Sequence, residues 1–138
     1  MKKHSLNHVL LVCAVLCIGC GPHTVPISGV VTIDGQPTKD LQVLFQSASS
    51  DTTVPQAAYG LTNEKGEYVL SLSERKKRGA VPGEYAVFIS WLDPNPTPDE
   101  RTSNPCPYNI PDDAVRGLFR FTVTESRNRN ADFHLTNH

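Results

Sequence analysis

The stretch Tyr85-Ala-Val-Phe-Ile-Ser-Trp91 decides the fold class of this sequence. Tyr85, Val87, Ile89 and Trp91 recur at every second position. In an extended chain such residues share one face, because successive side chains point to opposite sides. The stretch therefore predicts a β-strand, and we expect Tyr85 and Trp91 in the core rather than on a sugar-binding platform.

Shorter runs with the same alternation flank this strand, and turn sequences separate them. Asp34-Gly-Gln-Pro37, Asn63-Glu-Lys-Gly66 and Pro82-Gly83 are typical of tight turns, with their glycines at positive φ. The 11 prolines and 9 glycines disfavour a helical bundle. The pattern predicts an all-β, seven-stranded antiparallel sandwich with Greek-key connections. The other six strands are predicted near residues 27–33, 41–45, 57–62, 68–72, 119–123 and 131–135.

The composition fits one small domain that does not bind nucleic acid. The chain has 138 residues, with 13 Lys and Arg against 14 Asp and Glu. No long acidic or basic tract occurs, and general nucleic-acid binding usually needs a basic face.

The first 19 residues have the layout of a secretory signal peptide. A short basic start with Lys2 and Lys3 precedes an unbroken apolar run over residues 9–18. That run is about half of the roughly 20 apolar residues that a membrane-spanning helix needs. We therefore predict a signal peptide over residues 1–19, a tether over 20–26 and a folded domain over 27–138.

The end of this segment, Leu16-Cys-Ile-Gly-Cys20, resembles the lipobox of bacterial lipoproteins. The resemblance implies cleavage after Gly19 and lipid, including palmitate, on Cys20. It also implies a protein anchored in the bacterial cell envelope, with the outer membrane or the periplasmic face favoured because Gly21 is not an aspartate. The alternative is an ordinary secretory signal.

Only one of the four cysteines stays free under this interpretation. Cys13 and Cys17 leave with the signal peptide and Cys20 carries lipid, so Cys106 has no intrachain partner. We expect Cys106 to be a partly buried thiol without a role. A catalytic nucleophile and an intermolecular disulfide are the alternatives.

Four segments contain short motifs that are mostly turns and core positions, and they lie at residues 26–37, 62–68, 81–87 and 131–135. Together they resemble the carboxypeptidase regulatory-like domain, a transthyretin-like seven-stranded sandwich, and the resemblance covers nearly all of residues 26–136. It is closest to small bacterial lipoproteins that consist of a lipobox signal and one such domain. The resemblance implies a fold more strongly than an activity.

Motifs of known enzymes do not occur in the sequence. There is no His-Glu-x-x-His and no Gly-x-Ser-x-Gly. The hydroxyisourate hydrolases, which share the transthyretin-like fold, end in Tyr-Arg-Gly-Ser, whereas the last residues of this chain are Phe133-His-Leu-Thr-Asn-His138. We expect no cofactor and no metal. His134 should point to solvent, and Asp112 and Asp113 should lie in a solvated loop rather than bind calcium.

One short segment is strongly basic. Arg75, Lys76, Lys77 and Arg78 follow one another in a predicted loop. Such a cluster is typical of contact with anionic lipid head groups or an acidic polymer. The alternative is an ordinary solvated loop.

These observations favour a non-enzymatic, lipid-anchored envelope protein that acts as a structural or protein-interaction module. The alternative is a module that binds carbohydrate or another envelope ligand through the proline-rich segment 92–117, with Tyr108 near the edge of the sandwich. An enzyme ranks third. The expected partners are the membrane, through the lipid anchor, and an envelope protein or polysaccharide.

Overall fold

The computed structural model describes residues 21, 23–73, 77–98, 104–125 and 130–138, and these form an all-β fold with one helical turn. The predicted signal peptide, Gly19 and Cys20 lie outside the described residues. The elements are β1 (Ser28–Ile33), β2 (Gln36–Pro37), β3 (Leu41–Ser47), β4 (Ala57–Leu61), β5 (Glu67–Val69), β6 (Ser71–Leu72), β7 (Gly83–Trp91), α1 (Asp112–Val115), β8 (Phe119–Val123) and β9 (Phe133–Leu135).

The strands form two sheets, and all but one of the strand pairs are antiparallel. The larger sheet has the order β6-β4-β3-β7-β8. In the smaller sheet β1 pairs with β2 and β5 in antiparallel fashion. It pairs with β9 in parallel, with Val31 opposite Phe133. The predicted antiparallel arrangement is therefore confirmed for the other strand pairs and wrong for the pairing of β9 with β1, because alternation indicates which face of a strand is buried but not the direction of its neighbour.

Each of the seven predicted strands has a counterpart, but the fourth is divided. Its first half, β5, belongs to the smaller sheet and its second half, β6, to the larger. Leu70 lies between them, fully buried. Its N–H donates to Ile27 O at 2.9 Å, and its carbonyl accepts from Gly79 N at 2.7 Å. The chain thus passes from one sheet to the other without leaving the core.

The first hairpin is the one predicted from the Asp-Gly pair. Thr32 pairs with Pro37 and Ile33 with Gln36, so two residues make the loop. Asp34 and Gly35 have φ values of 50° and 81°. Two consecutive positive φ values match the turn that suits the twist of a hairpin.

The core lies between the two sheets. Phe45 of β3 is fully buried, and its ring lies 6.3 Å from that of Phe133 in the smaller sheet. Tyr85 is buried as predicted, whereas Trp91 is only half-buried and packs at the margin of the core. The prediction for Trp91 is therefore only partly right, because Trp91 is the last residue of β7 and packs against the core from its margin. The other fully buried strand residues include Leu41, Val43, Val87, Ile89 and Val31.

The ordered pairing begins two residues before the predicted start of the domain. Val25 is buried, its N–H donates to Ala80 O at 2.8 Å, and Ala80 N donates back to Val25 O at 3.0 Å. The paired chain therefore includes a residue that the sequence places in the tether.

Gly29 of β1 lies close to the backbone carbonyl of Ala131, two residues before β9, and we expect its replacement to destabilise the fold. A Cβ atom at Gly29 would overlap the Ala131 carbonyl and lie 3.0 Å from Tyr68 Cε1. The Tyr68 hydroxyl, whose pKa is raised by burial, donates to the same carbonyl and holds it in place. Gly29→Ala should lower the free energy of unfolding by about 1–3 kcal/mol, the usual cost of overpacking.

Urea unfolding followed by circular dichroism measures this loss. Ser28→Ala, one residue away in the same strand, serves as the control and should change stability by about 0.5 kcal/mol or less. A Gly29→Ala protein as stable as the wild type would contradict the close approach.

Candidate binding site

An apolar groove lies at the end of β7. Its volume is about 330 Å³, within the size range of small-ligand sites. Two half-buried aromatic side chains, Trp91 and Tyr108, line it. The other lining residues are Ser90, Cys106, Asn109, Ile110 and Val115.

The segment that carries Tyr108 is fixed against the sandwich. Tyr108 and Ile110 both pack against the buried core. In α1 Ala114 is fully buried, and Arg116 N donates to Asp112 O at 2.8 Å. Gly117 lies so close to the Phe88 ring that a Cβ atom would overlap it. Residues 108–117 of the predicted loop 92–117 are therefore a packed segment that holds Tyr108 beside Trp91.

A second, polar cavity adjoins the groove and shares Asn109 and Ile110 with it. Its volume is about 510 Å³. Asn137 joins its walls, because its side-chain amide donates to Asn109 O at 2.9 Å and to Asp34 Oδ2 at 3.0 Å. Its backbone N–H donates to Asp34 Oδ1 at 2.9 Å. The backbone hydrogen bond from Asn137 to Asp34, followed by the side-chain bond, holds the pKa of Asp34 below its usual value. The remaining lining residues are Pro111, Asp112, Asp113, Phe119, His134, Leu135, Thr136 and His138.

Together the two cavities suit a ligand with both apolar and polar groups. Trp91 and Tyr108 supply aromatic surface, and the adjoining cavity supplies amides, carboxylates and imidazoles. Within the described ranges no three His, Cys, Asp or Glu side chains are placed to hold a metal ion. The two cavities therefore place aromatic rings beside hydrogen-bonding groups.

The structure places the remaining candidate residues as follows. His134 is exposed, as the alternation predicted, and its Nδ1 lies 2.9 Å from Thr32 Oγ1 on the neighbouring strand. Asp112 and Asp113 are exposed but form the first turn of α1 instead of the predicted loop. The prediction of a partly buried thiol is wrong, since Cys106 is exposed and its Sγ donates to Tyr108 O at 3.3 Å.

The described part of the basic segment lies away from the groove. Arg75 and Lys76 are outside the described residues, while Lys77 and Arg78 are exposed. Arg78 pairs with Ser71 of β6, and Lys77 O accepts from Leu72 N at 2.7 Å. The two candidate surfaces therefore lie at different strands of the larger sheet, because β4 and β3 separate β6 from β7.

Sequence reasoning singled out Tyr108 but missed most of its neighbours. Ile110, Val115 and Asn137 have no periodic pattern around them, and Asn137 reaches Asn109 only because β9 pairs with β1. The one usable signal was a tyrosine in a proline-rich segment that follows the strongest strand.

Comparison of the chain with protein-family models, with curated proteins and with solved structures gives no match. In the described part of the chain, no helix is long and apolar enough to cross a membrane.

Proposed function

We propose that this chain is a non-enzymatic, lipid-anchored protein of the bacterial cell envelope whose β-sandwich acts as a protein-interaction module. The observation that carries the proposal is the groove between Trp91 and Tyr108, on a segment packed firmly against the core. The anchor itself is inferred from the lipobox-like run that ends at Cys20. The non-enzymatic part rests on the sequence, in which the peptidase and hydrolase motifs do not occur.

We also propose that the fold is a seven-stranded Greek-key sandwich of the transthyretin-like, carboxypeptidase regulatory-like type. Counting β5 and β6 as one strand that bends at Leu70, and β2 as the return arm of the first hairpin, leaves seven strands. The Asp34-Gly35 turn and the buried Tyr68 and Tyr85 fall on segments that carry the resemblance.

A carbohydrate of the envelope is the second candidate ligand. Flat aromatic surface suits the apolar face of a sugar ring, and hydroxyl groups need donors and acceptors close by. The groove has the first in Trp91 and Tyr108, and the adjoining cavity has the second in Asn109 and Asn137.

Site-specific photo-crosslinking in cells tests which ligand occupies the groove. A benzophenone amino acid at position 108 should give a covalent product, because Tyr108 lines the groove and is half-buried. A product that protease degrades from the partner side indicates a protein, and one that muramidase shortens indicates cell-wall polysaccharide. The same group at position 59 is the control, since Tyr59 is an exposed tyrosine on β4, away from the groove. No product at 108, or equal products at 108 and 59, would contradict a ligand site in the groove.

A further inference from the structure

We propose that the β6 edge of the larger sheet docks on the anionic head groups of the membrane that holds the anchor, so that the groove faces away from the bilayer. We define this docking edge by β6, Lys77 and Arg78. The inference rests on the proposed lipid anchor and adds the orientation of the domain.

The tether brings the docking edge to the membrane. Val25 is hydrogen-bonded to Ala80 in both directions, and Arg78 is two residues before Ala80. Val25 is five residues after Cys20, a length of chain that spans at most about 18 Å. Attraction to a charged surface decreases beyond a Debye length of about 10 Å, so a short tether is needed to keep Lys77 and Arg78 within its range. The anchor and the exposed cations are therefore on the same side of the fold.

The charge of this edge is opposite to that of the rest of the chain. β6, Lys77 and Arg78 carry two basic side chains and no carboxylate, a net charge of +2. The other residues after Gly19 carry nine basic and 14 acidic side chains, a net charge of −5. An anionic surface therefore attracts this edge and repels the remainder. Each basic residue near such a surface strengthens attachment about fivefold.

The groove is far from the docking edge. Arg78 lies one strand outside β6, and β4, β3 and β7 follow in order, so four strand spacings of about 4.8 Å separate Arg78 from β7. The paired residues Ser71, Tyr59, Leu44 and Phe88 run straight across this sheet. Trp91 is three residues beyond Phe88, or about 10 Å along the strand. With the docking edge on the head groups, the groove is about 20 Å away from them and open to a partner.

A simpler role for Lys77 and Arg78 is to protect an edge strand from pairing with another chain. Replacing both by glutamate distinguishes the two roles, because glutamate also keeps the edge charged but is repelled by an anionic surface. Lys77→Glu with Arg78→Glu should therefore leave the oligomeric state of the protein unchanged and change its orientation on the membrane.

Trp91, the one tryptophan of the chain, reports that orientation from the groove. The lipidated full-length protein is reconstituted into phosphatidylcholine vesicles with or without phosphatidylglycerol, together with a lipid that carries a quencher on its head group. In vesicles with phosphatidylglycerol, Trp91 of the wild type should be quenched less than in neutral vesicles. In the double variant the ratio of docked to undocked protein should fall at least about 30-fold, so that the quenching of Trp91 rises to the level in neutral vesicles. High salt should have the same effect on the wild type.

Lys65→Glu with Arg116→Glu is the matched control, because both residues are exposed, lie outside the docking edge and give the same change in net charge. This control should be quenched like the wild type. Co-flotation with the vesicles reports the anchor separately. Equal quenching of wild type and double variant in floating vesicles overturns the docking edge and leaves the anchor intact, whereas failure to float overturns the anchor and this inference with it.

Discussion

Cys20→Ser should abolish palmitate incorporation and separate this chain from the membrane fraction, apart from any unprocessed precursor. The physical reason is the size of the anchor, since each buried CH₂ group of an acyl chain contributes about 0.8 kcal/mol and one chain alone gives only reversible binding. Two or three chains on one cysteine make attachment almost permanent. Serine has no thiol to receive the lipid, so the whole of this contribution is lost. Metabolic labelling with palmitate, with fractionation and the mass of the product, measures the effect.

Cys17→Ser and Cys106→Ser are the controls for this experiment. Cys17 is preceded by Leu16, which is too large for the position before a lipidated cysteine, and Cys106 is far along the chain. Both variants should keep the label and stay in the membrane fraction. A Cys20→Ser protein of mature size that still carries palmitate would refute the anchor.

The alternation of apolar residues predicted the strands because it follows directly from burial. Every second residue is buried from Leu41 to Phe45 in β3 and from Tyr85 to Ile89 in β7, and the sequence shows this as a period of two. The Asp34-Gly35 hairpin was also predictable, since the two residues that follow β1 are of the kinds that accept positive φ.

Long-range pairing leaves no such record in the sequence. The parallel contact of β9 with β1 joins residues about a hundred positions apart, and the division of the fourth strand depends on the bonds that Leu70 makes with Ile27 and Gly79. Alternation also predicts equal burial along a strand, whereas a residue at the end of a strand can be less covered. Trp91, the last residue of β7, is accordingly less buried than Tyr85. That deviation matters for the site, because the exposed part of Trp91 forms one wall of the groove.

Phe45→Ala should cost about 3–5 kcal/mol, the usual penalty for removing a buried aromatic side chain. Phe45 is fully buried, and its ring lies 5.7 Å from that of Tyr85 and 5.4 Å from that of Phe121. It also meets Phe133, so it joins the two sheets as well as two neighbouring strands. A small domain has few such contacts to spare, and total stabilities are only about 5–15 kcal/mol.

Urea unfolding of the purified protein measures this loss, with Leu44→Ala as the control. Leu44 is the preceding residue of β3, only half-buried on the opposite face of the sheet, so its truncation should cost clearly less. If Phe45→Ala is too unstable to purify, Phe45→Leu should still fold with a smaller loss, because leucine fills part of the cavity. Equal losses at positions 44 and 45 would mean that the contact between the sheets contributes little, and the sandwich would then depend on its hydrogen-bonded ladders instead.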